Sequence, residues 1–191
     1  MEITWTTLFL FAGTSGLLSA LVSHAFSRWN EWRSRHDNAA YLAIRIATAL
    51  ETFADDCMSV IGNFDTYRQS KGSAGKPTTK LPAIPNYPED ADGWRSLPTF
   101  LTAKILAFPN HVRAGQESIS FTWSVADDEA AWNDCEQESA KLGLAAWELA
   151  NELRLKFSFP PFEPRYDIAG ALRREVARWK VRSNAVSDLL T

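Results

Sequence analysis

The sequence predicts an all-α protein. A single N-terminal transmembrane helix (residues 1–27) leads through a short basic, Trp-bearing juxtamembrane segment (28–36) into a small antiparallel bundle of about four helices (37–191), with one long Pro-rich loop (71–97). Three observations predict it. The run from Ile3 to Phe26 contains no Asp, Glu, Lys or Arg. Beyond residue 37, apolar residues recur at spacings of three and four, the period of a helix with one buried face. Most of the prolines fall in two clusters, Pro77 to Pro98 and Pro160 to Pro164, and so mark connections.

Length identifies the first helix. A bilayer core of about 30 Å takes about 20 helical residues at roughly 1.5 Å each, and Ile3 to Phe26 is long enough. Trp5 lies near one end, and Trp29 and Trp32 lie beyond the other, where indoles favour the headgroup layer. The Thr and Ser residues within the run lower its hydrophobicity, but their hydroxyls can return to helix carbonyls. A cleaved signal peptide would begin with basic residues. Here the start is Met1, Glu2, Ile3, Thr4, and only Ser23, His24, Ala25 resembles a cleavage site, so retention as an anchor is expected. Arg28, Arg33 and Arg35 follow the run and no basic residue precedes it. The positive-inside rule then puts the N-terminus outside and the body in the cytoplasm, as in a bacterial inner membrane. Ala12, Gly16 and Ala20, spaced by four, form a candidate face for self-association, since small residues let spanning helices approach closely.

Behind the anchor stand about 155 residues, an ordinary size for one domain with one core. Aromatic content of 12 %, with eight Trp and eleven Phe, is unlike a disordered tail. Cys57 and Cys135 are too few and too far apart for a disulfide framework; both fall at apolar helical positions and are expected to be reduced and buried. Residues 37–152 hold 9 basic and 17 acidic side chains, whereas residues 153–182 hold 8 and 3. An acidic body with a separate basic element argues against a nucleic-acid binder, whose basic surface would dominate the domain.

The first cytoplasmic helix carries Leu42, Ile46, Ala49, Phe53, Cys57, Val60, Phe64 and Tyr67 on one stripe, with Asp37 or Asn38 available to cap a fresh start. Arg45, Glu51, Asp55, Asp56 and Asp65 fall off that stripe and are expected on a solvated face. Asp55 and Asp56 make a poor metal pair, since neighbours on a helix point about 100° apart. The loop from Lys71 follows, with Leu81, Ile84 and Tyr87 alternating with prolines, a pattern for an extended strap laid across helices. The sharper reading is a docking peptide that uses Pro82, Pro85, Tyr87, Pro88 and Trp94 to meet a protein partner.

Ser96 can cap the next helix, with Pro98 in its first turn and Phe100, Leu101, Ile105, Leu106 and Phe108 as its apolar side. Pro109 should interrupt or kink it, after which Asn110 to Trp123 resumes with Val112, Ile119 and Trp123 inward. Ser118 to Val125 alternates like a strand, so residues 110–125 stay open between helix and strand. His111 beside Arg113 could contact a phosphate or a ligand; a lone His past a proline is more often on the surface. Asp127, Asp128 and Glu129 complement the dipole at the start of a third helix. That helix runs through Trp132, Cys135, Ser139, Leu142, Ala146, Leu149 and Leu153 to about Phe157. Its acids Asp134, Glu136, Glu138 and Glu148 are expected to be solvated, since no Glu-x-x-His pair accompanies them.

Pro160, Pro161 and Pro164 turn the chain into a last helix from Arg165 or Asp167 toward Asp188, with Ile168, Leu172, Val176, Trp179, Val186 and Leu190 as apolar positions. Its other face holds Arg173, Arg174, Arg178, Lys180 and Arg182. If the four helices alternate in direction, this one returns to the bilayer beside Arg28 to Arg35, where anionic lipid would attract it.

No Gly-rich phosphate loop, nucleophile elbow, His-Glu-x-x-His or Cys-x-x-Cys occurs, so no catalytic residue, metal or cofactor is expected. The expected function is a single-pass membrane-tethered helical interaction or scaffold protein. A ligand-responsive membrane sensor is the alternative, and a membrane-associated enzyme the least favoured.

Overall fold

The computed structural model describes the backbone of residues 5–189 and the side chains of residues 23–182. Five helices make up the described chain: α1 (Trp5–Gln69), α2 (Ala91–Ser96), α3 (Thr99–Val125), α4 (Asp128–Lys156) and α5 (Ile168–Leu189). The protein is all-α, with no strand among the described residues. No helix among the described residues is long and apolar enough to cross a membrane. The side chains of nearly all of the run Ile3–Phe26, including Trp5, Ala12, Gly16 and Ala20, lie outside the described residues, as do those of Val186 and Leu190.

α1 is one unbroken helix of 65 residues, about 100 Å at the usual rise. No fresh start occurs at Asp37 or Asn38: the helix passes through both, and their backbone groups need no cap. From Ala39 onward its stripe of Leu42, Ile46, Leu50, Phe53, Cys57 and Phe64 is buried. α4 is the main partner of that stripe. Gly143 of α4 makes the close approach possible: a Cβ there would sit 2.8 Å from Cys57 Cβ and 3.0 Å from Leu172 Cδ2.

The chain turns after α1 through Lys71 and Gly72, both at positive φ, with the Gly72 N–H bonded to the Tyr67 carbonyl. It then runs back along the bundle in extended form as far as the short helix α2. The Leu81 N–H donates to Gln116 Oε1 at 2.9 Å, Cys135 Sγ lies 3.8 Å from the Thr78 carbonyl, and Gly93 reaches Leu42 of α1. The strap expectation holds, but with α2 inside it. Asp90 caps α2 by accepting from the Gly93 N–H at 2.9 Å. Ser96 does not cap α3; it ends α2 and donates to the Asp92 carbonyl, while Pro98 takes the α3 cap position without a side-chain bond.

α3 continues through Pro109 rather than breaking there, because flanking Ile105, Phe108 and Val112 are all buried and hold the helix in place. The region open between helix and strand is helix. Ser120 and Thr122 return their hydroxyls to the Gln116 and Ser118 carbonyls, and Ile119 is buried. Trp123, expected inward, lies one turn beyond buried Ile119 on the same face yet is 47 % exposed, since no residue of α3 past Ile119 is buried.

Asp127 caps α4, accepting from the Ala130 N–H at 2.8 Å, as its position before Asp128 and Glu129 predicts. Asp167 does the same for α5 through the Gly170 N–H at 2.7 Å. α5 does not return toward Arg28 to Arg35. Tyr166, just before it, bonds Asp55 of α1, and Arg178, further along, shares Glu136 with Arg68 of α1. α5 therefore climbs in the same direction as α1. The non-helical strap is the reason: it supplies one return leg, so α1, α3 and α5 run one way and only α4 runs back.

Candidate functional site

Two carboxylates expected on solvated faces are buried. Glu136 of α4 is fully enclosed and accepts from Arg68 Nη1 at 2.9 Å, Arg68 Nη2 at 2.5 Å and Arg178 Nη2 at 2.7 Å. Glu51 of α1 accepts from Arg154 Nε at 2.5 Å and Nη2 at 2.9 Å, and Arg154 also donates to the Pro160 carbonyl. A carboxylate taken out of water requires such partners. The hydrogen bonds that Arg68 and Arg154 donate to Glu136 and Glu51 in turn hold their guanidinium groups above their ordinary pKa. Glu175 stands beside the Glu136 cluster; burial raises its pKa first, Glu136 and Asp65 add to that, and Arg178 and Arg68 oppose it. These clusters tie α1, α4 and α5 together.

A cleft of ≈ 320 Å³ opens between α1 and the start of α5, lined in part by Thr48, Glu51, Thr52, Asp55, Tyr166 and Ile168. Several of its polar groups bond within the protein, while Arg165, which also lines it, is exposed. Thr48 and Thr52 donate to the Ile44 and Thr48 carbonyls, and Asp55 accepts from the Tyr166 hydroxyl. Burial, and then that bond, push the Tyr166 phenol up to about 12. Burial followed by the Asp55 charge raises the neighbouring Asp56. Among the described residues no three His, Cys, Asp or Glu side chains converge on a metal position.

Cys57 and Cys135 are buried thiols, as expected; burial raises both, Cys135 to about 12. Neither is a ready nucleophile. His111 is exposed and borders a groove of ≈ 500 Å³ between α3 and α4. In that groove Lys104 is already bound to Glu152 at 2.8 Å. Arg113 donates to Asn110 Oδ1.

The residues expected to dock a partner through the Pro-rich loop face the other way. Tyr87 and Trp94 pack against the core and against each other, ring centroids 6.2 Å apart, and Trp94 Nε1–H donates to the Pro88 carbonyl. Burial raises the Tyr87 hydroxyl. Pro82, Pro85 and Pro88 are half-buried beside them. The basic face of α5 is likewise divided. Arg178 is drawn inward by Glu136, Arg173 approaches Glu148, Arg174 approaches Asp167, and Arg182 lies over the Trp179 ring at 4.8 Å. Lys180 remains exposed.

Two surfaces escaped the sequence reading. The outer side of α3 exposes Phe100 and Leu106 near its start and Phe121 (68 %) and Val125 (64 %) near its end. Apolar residues all round that helix were the available signal. The second surface lies where the bundle meets the lower part of α1. There Trp29, Trp32, His36, Phe157 and Phe159 form a continuous line of rings, successive centroids 6.1, 6.0, 5.9 and 6.1 Å apart. Only the fold brings Phe157 to His36. No family model, curated protein or solved structure matches this chain.

Proposed function

We propose that this chain is a single-pass membrane-tethered helical interaction or scaffold protein. Ile3–Phe26 spans the bilayer, the N-terminus lies outside, and the bundle works in the cytoplasm. The exposed end of α3 carries the interaction reading. Phe121 and Val125, one turn apart on the outer face of α3, present two large apolar side chains to solvent, and such patches mark protein interfaces. By contrast, Thr48, Thr52, Asp55 and Glu51 of the cleft bond within the protein, which lends the ligand-sensor and enzyme readings less support. The tether rests on the uncharged run and on the continuity of α1, which joins that run to the bundle without a flexible linker.

Purification of the intact chain from mild detergent tests the interaction. Wild type should retain a discrete partner that Phe121→Ser and Val125→Ser both lose while keeping their helical content. A partner held equally by wild type and variants would remove α3 from the interface. Self-association through Ala12, Gly16 and Ala20 belongs to the same proposal, and Gly16→Ile should weaken it in a membrane reporter.

A further inference from the structure

We infer that the outer face of α3 is the contact between two copies of this chain, which stand side by side, parallel and in register, about a two-fold axis along the bilayer normal. The occupant of the face is thus a second copy. This inference rests on the reading that Ile3–Phe26 spans and that α3 is the interaction face.

The helix period defines the face. Phe100, Ala107, Ala114 and Phe121 recur every seven residues, in one line on the side of α3 away from buried Ile105, Val112 and Ile119. No charge falls on that line, and both of its phenylalanines are exposed. The alanines in its middle let two helix axes approach to about 8 Å. Helices crossing at about 20° stand about 2 Å further apart ten or so residues from the crossing, and the phenylalanines fill that widening. The line itself drifts by about 20° per seven residues, as such a crossing requires.

The bilayer fixes the register. α1 joins the apolar run to the bundle as one helix, so it sets each residue of the body at a constant height above the membrane. Two copies in one bilayer therefore bring each residue of this line level with its own counterpart. A contact about 40 Å long and 10 Å wide buries on the order of 800 Å² over both copies, about half of a standard interface. That is too little for dilute solution, and confinement to one membrane makes up the difference by raising the effective concentration.

Charge selects the parallel arrangement. On one flank of the line lies α4, whose outer face carries exposed Glu148 and, nearer the level of Gly115, exposed Lys141. On the other flank α3 itself exposes Arg113 and, one turn higher, Glu117. A parallel two-fold sets the first flank of each copy against the second flank of the other, so that Arg113 meets Glu148 and Glu117 meets Lys141. An antiparallel pair would set each flank against its own kind. Both acidic and basic partners have room: Arg173 of the same chain stands 4.0 Å from Glu148, and Lys141 holds Glu138 at the surface.

The full chain in phosphatidylglycerol–phosphatidylethanolamine vesicles tests this, with Cys57 and Cys135 buried. Under copper phenanthroline, Ala114→Cys should give a disulfide-linked dimer, and Asn63→Cys, exposed on α1, should give little. Arg113→Glu should lower the Ala114→Cys yield severalfold, and Glu148→Arg added to it should restore the yield; a swap without rescue overturns the pairing. More dimer from mixed Ala107→Cys and Ala114→Cys chains than from either alone means an antiparallel pair and overturns it as well. No dimer at either position, in variants that keep wild-type helical content, overturns the second copy as occupant. The interaction reading then still stands if Phe121→Ser releases a different captured protein. A chain that washes off the vesicles at alkaline pH overturns the span and, with it, the register of this pair.

Discussion

Along α1 a single apolar stripe passes through two environments. Its alternation of three and four residues buries Ala39, Ala43, Ile46, Leu50, Phe53, Cys57, Val60 and Phe64, then continues backward without a break through His36, Trp32 and Trp29. The first group is covered by the bundle. The second is exposed, because α4 ends at Lys156 and its C-cap Phe157 reaches no lower than His36. The two stretches share a helix and a period, so burial is set by what lies opposite and not by the pattern. No described helix packs along the lower stretch, which therefore draws little stability from packing.

The largest effect should come from Phe53→Ala in the covered stretch, which removes a ring packed edge-on to Phe108 at 5.3 Å. A loss of about 3–5 kcal/mol is expected in urea unfolding; a loss below 1 kcal/mol would mean that the stripe is less well packed than its burial implies. Glu136→Ala attacks the same stretch through its far end, leaving Arg68 and Arg178 facing each other. Both arginines are partly exposed, so the cost should fall short of a fully buried pair, at about 2–3 kcal/mol. High salt should narrow the gap between variant and wild type.

Glu175→Gln probes the same cluster with the opposite sign. The Glu175 carboxyl titrates above its ordinary value in the fold, so its protonated form is the one the folded state prefers. The penalty is therefore absent below the ordinary carboxylate range and develops as pH rises through the raised value. At neutral pH the variant should melt higher by about 1 °C, and at pH 4 the difference should shrink. A variant that is less stable at neutral pH would show that the Arg178 contact outweighs the burial. Trp32→Ala sharpens the comparison most directly, with a change in unfolding free energy within about 0.5 kcal/mol. A cost near that of Phe53→Ala would place the lower stretch in the core.

Much of the fold was legible because it depends on near neighbours. The helix starts near Asp127 and Asp167, the return loop starting near Lys71 and the buried faces of α1 and α4 follow from spacing, charge and chain-breaking residues. Pro109 misled because a missing backbone bond is a local cost, whereas the packing of Phe108 and Val112 that outweighs it is tertiary. Glu51 and Glu136 lay off the main stripe and so read as solvated. Their partners sit 103, 68 and 42 residues away, at distances that no periodicity reports. The docking residues of the strap were legible as a group but not in orientation: the pattern of Pro82, Pro85, Tyr87, Pro88 and Trp94 fits a free peptide and a packed one equally.

By itself the sequence determined the all-α class, the position of the strap, the uncharged N-terminal run and the reduced, buried cysteines. Each is a property of short windows, where helix period, proline geometry and burial preference act on adjacent residues. The tertiary structure alone decided that α5 climbs beside α1, that Glu136 gathers two arginines, and that Trp29 and Trp32 are left uncovered below the end of α4. These depend on how many times the chain reverses and on where one helix stops against another, and no local free energy encodes either.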